Sequence, residues 1–452
     1  MGGAGKGERS FANWDEDSIT MAVEASRLAL AKASVQLPDI SLDSLRLAST
    51  SLPFADRNNA GIVREALNLN RNLSPLDLGG SRRAATAGLL DLTRRGEGTH
   101  LLCASDCVDT LPASETEPTT GHGAAAILLG TGQPVASLCA SASLHEDFVD
   151  RYRMSERRFD YQLESRWIRD AGTLEQLGSL VAQTLEEGKV KAQSLAWLLL
   201  PFDASLNRSL ARKAGLAEAR TADELAQKIG ICGAAHPMIM LAWALEHAQV
   251  GDHILLAGAG QGFDVLLFEV TPGAAKPALA LAQQLAQTRE EKNYTRYLGI
   301  RQLLAMDSGI RSERDTRTAL SAHYRRHEDL TGFNGGYCSE CKKLQFPLSR
   351  YCVHCHSRDS QTVAPMSELD GEVNSYTEDW LAYSPSPPLM FGNIHFPGGA
   401  NVMMEFSDFL PGELHAGDKV RMSFRIKDLD ARRGFKRYFW KPTPAVKEHA
   451  GG

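Results

Sequence analysis

The sequence predicts an α/β protein with a duplicated architecture, followed by a zinc-binding hairpin and a small all-β module. Three observations carry this expectation. Short apolar strands alternate with amphipathic helices up to about residue 272, and one helix–strand pattern occurs twice at a constant offset. Beyond them, four cysteines crowd into residues 338–355 before period-two strands take over. Alternating strands and helices imply a buried sheet with helices on its faces.

The apolar runs at 44–50, 99–105, 123–130, 194–202, 252–260 and 264–270 read as strands, and 15–33, 82–95, 173–190 and 237–249 as helices. The 26 residues from Gly80, "GSRRAATAGLLDLTRRGEGTHLLCAS", match "GAAHPMIMLAWALEHAQVGDHILLAG" from Gly233 at an offset of 153 without a gap. Each has a glycine, a helix, a glycine-containing turn, then a histidine (His100, His253) opening an apolar strand. The expected organisation is a first half over 1–130, a second over 131–272, a helical linker over 273–335, a zinc ribbon over 336–360 and a barrel over 361–445. Within the last, "GEVNSYTEDW", "LMFGNIHFP", "ANVMMEFSDF" and "DKVRMSFRI" alternate as strands of a small barrel do. The tail after about 443 is expected to fray.

Bulk composition excludes several classes. A chain of 452 residues with 43% hydrophobic and 23% charged residues and a net charge of −6 is that of a multidomain globular protein, not of a nucleic-acid binder. No apolar run approaches the roughly 20 residues of a membrane span, and the opening "MGGAGKGERSFANWDED" has no secretory apolar core. The expectation is a cytoplasmic protein with no membrane partner.

In a reducing compartment, clustered cysteines read as metal ligands rather than disulfides, and Cys103, Cys107, Cys139 and Cys232 as buried thiols. "YCSECKKLQFPLSRYCVHC" places Cys338, Cys341, Cys352 and Cys355 as CxxC, ten residues, CxxC. Two such knuckles offer four thiolates to one tetrahedral Zn²⁺, a closed and therefore structural site.

"DLGGSRRAAT" (77–86) sets a question. Arg82 and Arg83 stand at the mouth of a helix, where the dipole disfavours cations unless something anionic compensates. Arg82 is a candidate for binding a carboxylate or a phosphate; turning outward with no ligand role is the alternative. Ser81 is a candidate nucleophile, or an N-cap. "ICGAAHPM" puts Cys232 and His236 at the start of the second-half helix, where a thiol can be acidified. The reading adopted is a buried cysteine and a histidine capping the turn before Pro237, with the acidified thiol as the alternative. Gly258 and Gly260 in "GAGQG" are candidates for a tight, ligand-facing glycine turn.

Residues 10–272 resemble the thiolase superfamily, in its 3-hydroxy-3-methylglutaryl-CoA synthase and ketoacyl synthase III branch. The stretches that carry the resemblance are "NWDEDSITMAVEAS", "DLGGSRRAATAGL", "GHGAAAILLG" and "IGICGAAHPMIMLAWALEHAQVGDHILLAGAGQG". Residues 330–442 resemble the zinc-ribbon and OB-fold family that accompanies thiolases. The resemblance implies a duplicated five-layer α-β-α-β-α domain, a coenzyme A thioester as ligand or substrate, and a homodimer or a heteromer with an active thiolase.

The resemblance also implies a catalytic cysteine, a histidine, an asparagine and an acidic base. In their places stand Arg82, Leu199, Ile231 and, near the last, Thr50. Cys103 and Cys107 are expected on the following strand, unable to substitute. The strand that usually precedes the first helix is not found, so either a partner or a neighbouring segment is expected to fill that sheet, or the first half lacks an element. The reading is a catalytically degenerate subunit that binds acyl-CoA or scaffolds a partner thiolase. The alternatives are an acyltransferase, synthase, thioesterase or lyase using Cys232, His236 or Ser81, and a purely structural dimer.

Overall fold

A computed structural model describes the chain except residues 1–6, 35–39, 131, 273–279, 314–315, 318 and 446–452, so the end of the expected fraying tail and the start of the expected linker lie outside the described residues. It divides into two compact units. The first comprises residues 1–12, 17–63 and 70–288, the second residues 13–16, 64–69 and 289–452.

The first unit holds two four-stranded sheets. One contains β1 (Ser44–Ala48), β2 (Ser74–Leu78), β3 (His100–Asp106) and β4 (Gly123–Leu129), in the order β2-β1-β3-β4. A long strand β5 (Ala136–His145) opens the second half, followed by a small hairpin of β6 (Arg151–Tyr152) and β7 (Tyr161–Gln162). Strands β8 (Leu195–Leu199), β9 (His253–Ala259) and β10 (Gly262–Val270) join β5 in the order β5-β10-β9-β8. β1 is parallel to β3 as β8 is to β9, and β4 runs antiparallel to β3 as β10 does to β9.

The helices of this unit are α1 (Ser18–Ser34), α2 (Asn59–Ala66, whose last turn lies in the second unit), α3 (Ala84–Arg95), the short α4 (Ser165–Trp167), α5 (Leu174–Glu187), α6 (Ala204–Lys213), α7 (Asp223–Ile229), α8 (His236–His247) and α9 (Ala280–Ala286). α3 and α8 lie between the sheets, α1 packs outside β3 and β4, and α5 outside β5 and β10, which makes five layers, α-β-α-β-α. The repeat seen in the sequence is therefore structural: α3 with β3, and α8 with β9, are equivalent pairs. α3 stops at Gly96, whose φ of 71° closes the helix in the left-handed region. α8 starts with Pro237 in its first turn, where the missing N–H costs nothing. Apolar side chains of both central helices merge with those of both sheets into one core, including Leu89, Leu102, Met238, Ile239 and Leu256.

The second unit adds the helices α10 (Tyr294–Ile300), α11 (Leu320–Arg325) and α12 (His327–Leu330). A three-stranded sheet of β11 (Asn334–Cys338), β12 (Leu344–Gln345) and β13 (Gln361–Pro365) carries the cysteines. A five-stranded antiparallel sheet, β14 (Gly371–Asp379), β15 (Leu389–His395), β16 (Asn401–Glu405), β17 (Lys419–Asp430) and β18 (Phe435–Pro444), runs β16-β15-β14-β17-β18. Among the described residues the expected barrel does not close as a continuous ladder: β16 and β18 are edges, and only past the end of β16 does Ser407 donate its N–H to the Pro442 carbonyl of β18. Pro442 and Pro444 remove donors from β18, which suits an edge. Inside this unit Asp15 is fully buried, pairing with Lys441 at 2.9 Å and accepting from Ser407 at 2.9 Å.

Candidate functional site

The arginines at the helix mouth find their anions within the chain. Arg82 Nη2 lies 2.9 Å from Asp160 Oδ2, and Arg153 Nη1 grips the other oxygen of Asp160 at 2.7 Å. Arg83 donates to the Leu144 carbonyl at 2.8 Å, and its Nε stands 3.4 Å from the buried Asp264. Arg82 is thus neither turned outward nor free. It lines a cavity of about 480 Å³ with Asp109, Arg151, Asp160, Gln162 and Glu164. The carboxylate that holds it comes from the β6–β7 hairpin, which has no helical or strand periodicity to announce it.

A hydrogen-bonded chain ties this corner to the other candidates. Arg153 also donates to the Thr50 carbonyl. Thr50 in turn gives its backbone N–H and its hydroxyl to Asp106, at 2.7 and 2.9 Å. Asp106 is fully buried and further accepts from Ser49 and Ser51 hydroxyls at 3.0 and 2.9 Å and from the Ala234 N–H at 2.7 Å. Ala234 lies between Cys232 and His236, so Arg82, Thr50, Cys232 and His236 converge on one place. Sequence reasoning missed Asp106, whose only local signal is an acid ending an apolar strand.

Cys232 is fully buried, and burial pushes its thiol up to about 12. Asp106 adds negative charge beside it, so of the two readings of this thiol the buried, unacidified one fits its surroundings. Cys103 is likewise buried and pushed up to about 12. Cys107 follows the end of β3 rather than lying on it, with Sγ 3.5 Å from His122 Nδ1. Cys139 is exposed, against the expectation of a buried thiol, because it sits on the edge strand β5.

Ser81 does not cap α3; the helix begins after Arg83. Its hydroxyl donates to the Gly260 carbonyl at 3.0 Å and accepts from the Arg83 N–H at 3.2 Å, which pins the turn. Gly258 packs against α3, since a Cβ there would stand 2.0 Å from Thr86 Oγ1, and one at Gly260 would meet Ser81 Oγ at 2.6 Å. Leu199, in the position where the resemblance implies a histidine, is fully buried.

His236 is different. It is 1% exposed, its Nδ1 has no hydrogen-bond partner, and burial followed by the nearby Arg82 cation lowers its pKa to about 4. The ring is neutral at physiological pH. Asp150, close to Arg82 and hydrogen-bonded by Gln261 at 3.0 Å, has its pKa raised by burial, with Arg82 opposing.

In the second unit, the sulfurs of Cys338, Cys341, Cys352 and Cys355 all lie within 4.8 Å of one another. Cys338 and Cys355 are 3.7 Å apart, Cys341 and Cys352 3.6 Å. Zinc–sulfur bonds of about 2.3 Å in a tetrahedron set sulfurs about 3.8 Å apart, so the four residues can hold a zinc ion. Ser360 and Ser357 hydroxyls stand 3.3 and 3.5 Å from Cys338, placed to donate to a thiolate.

The architecture is a thiolase-like α/β fold. Solved structures of the same fold include 3-oxoacyl-(acyl carrier protein) synthase III from Pseudomonas aeruginosa PAO1, with a TM-score of 0.52 and 22% identity over 59% of this chain and 87% of that one. MvaS in complex with 3-hydroxy-3-methylglutaryl coenzyme A aligns with a TM-score of 0.53 and 19% identity over 66% and 82%. Among curated relatives, the hydroxymethylglutaryl-CoA synthase of Methanosphaera stadtmanae is 27% identical over 270 residues, 58% of this chain and 77% of the relative. That of Aeropyrum pernix is 27% identical over 305 residues, 65% and 84% respectively. No family model matches the chain. No helix among the described residues is long and apolar enough to cross a membrane.

Proposed function

We propose that this chain is a catalytically degenerate, hydroxymethylglutaryl-CoA-synthase-like subunit of the cytoplasm. It binds an acyl-CoA thioester and serves a partner thiolase in carbon–carbon bond formation or cleavage, as a homodimer or within a heteromer. One observation carries the reading: where the resemblance implies a nucleophilic cysteine, Arg82 stands in an ion pair with Asp160. A guanidinium stays protonated and cannot attack a thioester. The buried thiols cannot replace it, since Cys103 and Cys232 are pushed up to about 12. The relatives' activity supports the ligand class.

The second unit supplies a zinc ribbon, with Cys338, Cys341, Cys352 and Cys355 as ligands, and an OB-like sheet. Zinc in a closed four-thiolate site contributes folding energy and no open coordination position. In this reading Arg82 engages the anionic part of the ligand, and Gly258 and Gly260 shape the wall near the acyl group.

A second reading, an active lyase, thioesterase or acyltransferase, is favoured by His236 alone: a neutral, buried imidazole with no partner at Nδ1 can take or share a proton. The test is to supply the purified full chain with acetyl-CoA and acetoacetyl-CoA. The expected result is bound coenzyme A thioester and no 3-hydroxy-3-methylglutaryl-CoA. Turnover abolished by His236→Ala would establish the second reading. Turnover that survives Ser81→Ala, Cys232→Ala and His236→Ala together would overturn the assignment of all the named residues.

A further inference from the structure

Arg82 faces its cavity already holding an anion, and the way that anion is tethered sets a condition on any ligand. Asp160 gives one oxygen to Arg82 Nη2 at 2.9 Å and the other to Arg153 Nη1 at 2.7 Å. Two guanidiniums bridged by one carboxylate reproduce the contacts with which arginines grip a carboxylate or phosphate of a ligand. The same cavity of about 480 Å³ holds a further polar group. Thr110 lines it, is only 8% exposed, and its hydroxyl has no hydrogen-bond partner. A buried hydroxyl left unpaired is unfavourable, and a polar atom of a ligand would relieve it.

Asp160 stands on a segment with little apolar anchorage. None of residues 143–171 is buried. The β6–β7 ladder has two rungs, Arg151 opposite Gln162 and Tyr152 opposite Tyr161. Polar contacts join it to the sheets: Arg82 to Asp160, Arg153 to the Thr50 carbonyl, Arg158 to Asp109 at 2.9 Å, and Gln261 to Asp150 at 3.0 Å. Segments held in this way open locally at low free energy. The side chains of both Asp160 ion pairs are about a fifth exposed, where water competes and a pair contributes little.

We infer that Asp160 is an internal competitor for the oxyanion of the ligand. A carboxylate or phosphate of the incoming molecule takes the place of Asp160 on Arg82 and Arg153, and the β6–β7 hairpin releases as it enters. The inference rests on the reading that Arg82 engages the anionic part of the ligand. No covalent bond changes; one oxyanion replaces another, so the equilibrium depends on how often the hairpin is open. A hairpin closed about nine-tenths of the time weakens apparent affinity about tenfold, and removing the charge of Asp160 returns that factor.

The experiment is titration calorimetry of the full chain with inorganic phosphate and with succinate, which separate a phosphate from a carboxylate as the recognised group. Asp160→Asn keeps the side-chain shape and removes the charge. It should bind one or both probes about tenfold more tightly than the parent chain, and adding Arg82→Gln should abolish the gain. Hydrogen exchange supplies a second readout on the parent chain itself: either anion at saturation should speed exchange of amides in residues 150–162 about tenfold. Equal affinities of the parent chain and Asp160→Asn overturn the inference, as does a gain that survives Arg82→Gln. If Asp160→Asn does not fold, exchange in the parent chain decides, and unchanged or slower exchange with either anion present overturns the inference. Binding of acetyl-CoA, measured in parallel, tests the wider reading. Its absence beside an intact gain for phosphate or succinate removes coenzyme A as the ligand and leaves the competition by Asp160 standing.

Discussion

The sharpest prediction concerns Asp106, because its surroundings leave a substitution no escape. Its Oδ1 accepts the Thr50 N–H at 2.7 Å and its Oδ2 accepts the Ala234 N–H at 2.7 Å. Both amides are fixed by the backbone. In Asp106→Asn, either orientation of the side chain points an N–H at one of these two amides. One buried donor then loses its acceptor, at about 1–3 kcal/mol, and the remaining bonds lose their charge assistance, worth about 1 kcal/mol or more in all. The sum, about 2–4 kcal/mol, is a large part of the 5–15 kcal/mol by which domains are stable. Three of the donors are hydroxyls (Ser49, Thr50, Ser51) that can turn elsewhere, so they add little. Urea denaturation followed by circular dichroism reads the change as a lower midpoint. A shift of less than about 0.5 kcal/mol, the range of ordinary surface changes, would refute the view of Asp106 as the hub joining the β1 loop to the start of α8.

Three further outcomes are expected. Purified chain should contain about one zinc per molecule by elemental analysis, and Cys338→Ser should lose the metal and destabilise the second unit; metal-free protein of unchanged melting temperature would refute the site. His236 has a folded pKa of about 4 against 6.5 unfolded, so its neutral form favours the native state above pH 6.5. That stability is lost as pH falls from 6.5 to 4, by about 3 kcal/mol, and His236→Gln should flatten this part of the pH–stability curve. Lys441→Met leaves the buried carboxylate of Asp15 without its 2.9 Å cation and should cost about 3–5 kcal/mol, most of it recovered when Asp15→Leu is added; additive losses in the double variant would contradict the pairing.

The likeness between the halves was legible because α3 with β3, and α8 with β9, are built from contacts near in sequence. Helical and strand periodicities are local, and a duplicated pattern shows as a constant offset. The cysteine cluster was equally legible, since two CxxC knuckles specify a tetrahedral ligand set whatever surrounds them. β2, β5 and β18 were not. "SPLDL" and "ASLCASASLH" have weak apolar signals because they are edge strands, stabilised by one neighbour's hydrogen bonds. The candidate site divides in the same way. That two cations stand at the mouth of α3 can be read from residues 81–83 alone. Which anions neutralise them cannot, because Asp160 and Asp264 lie 78 and 181 residues further along the chain. Coulomb attraction and desolvation depend on distance in space and on burial, and neither is encoded in the spacing of residues. Only the folded chain decides that Arg82 is paired, that Cys232 is a buried inert thiol, and that Asp106 binds the pieces together.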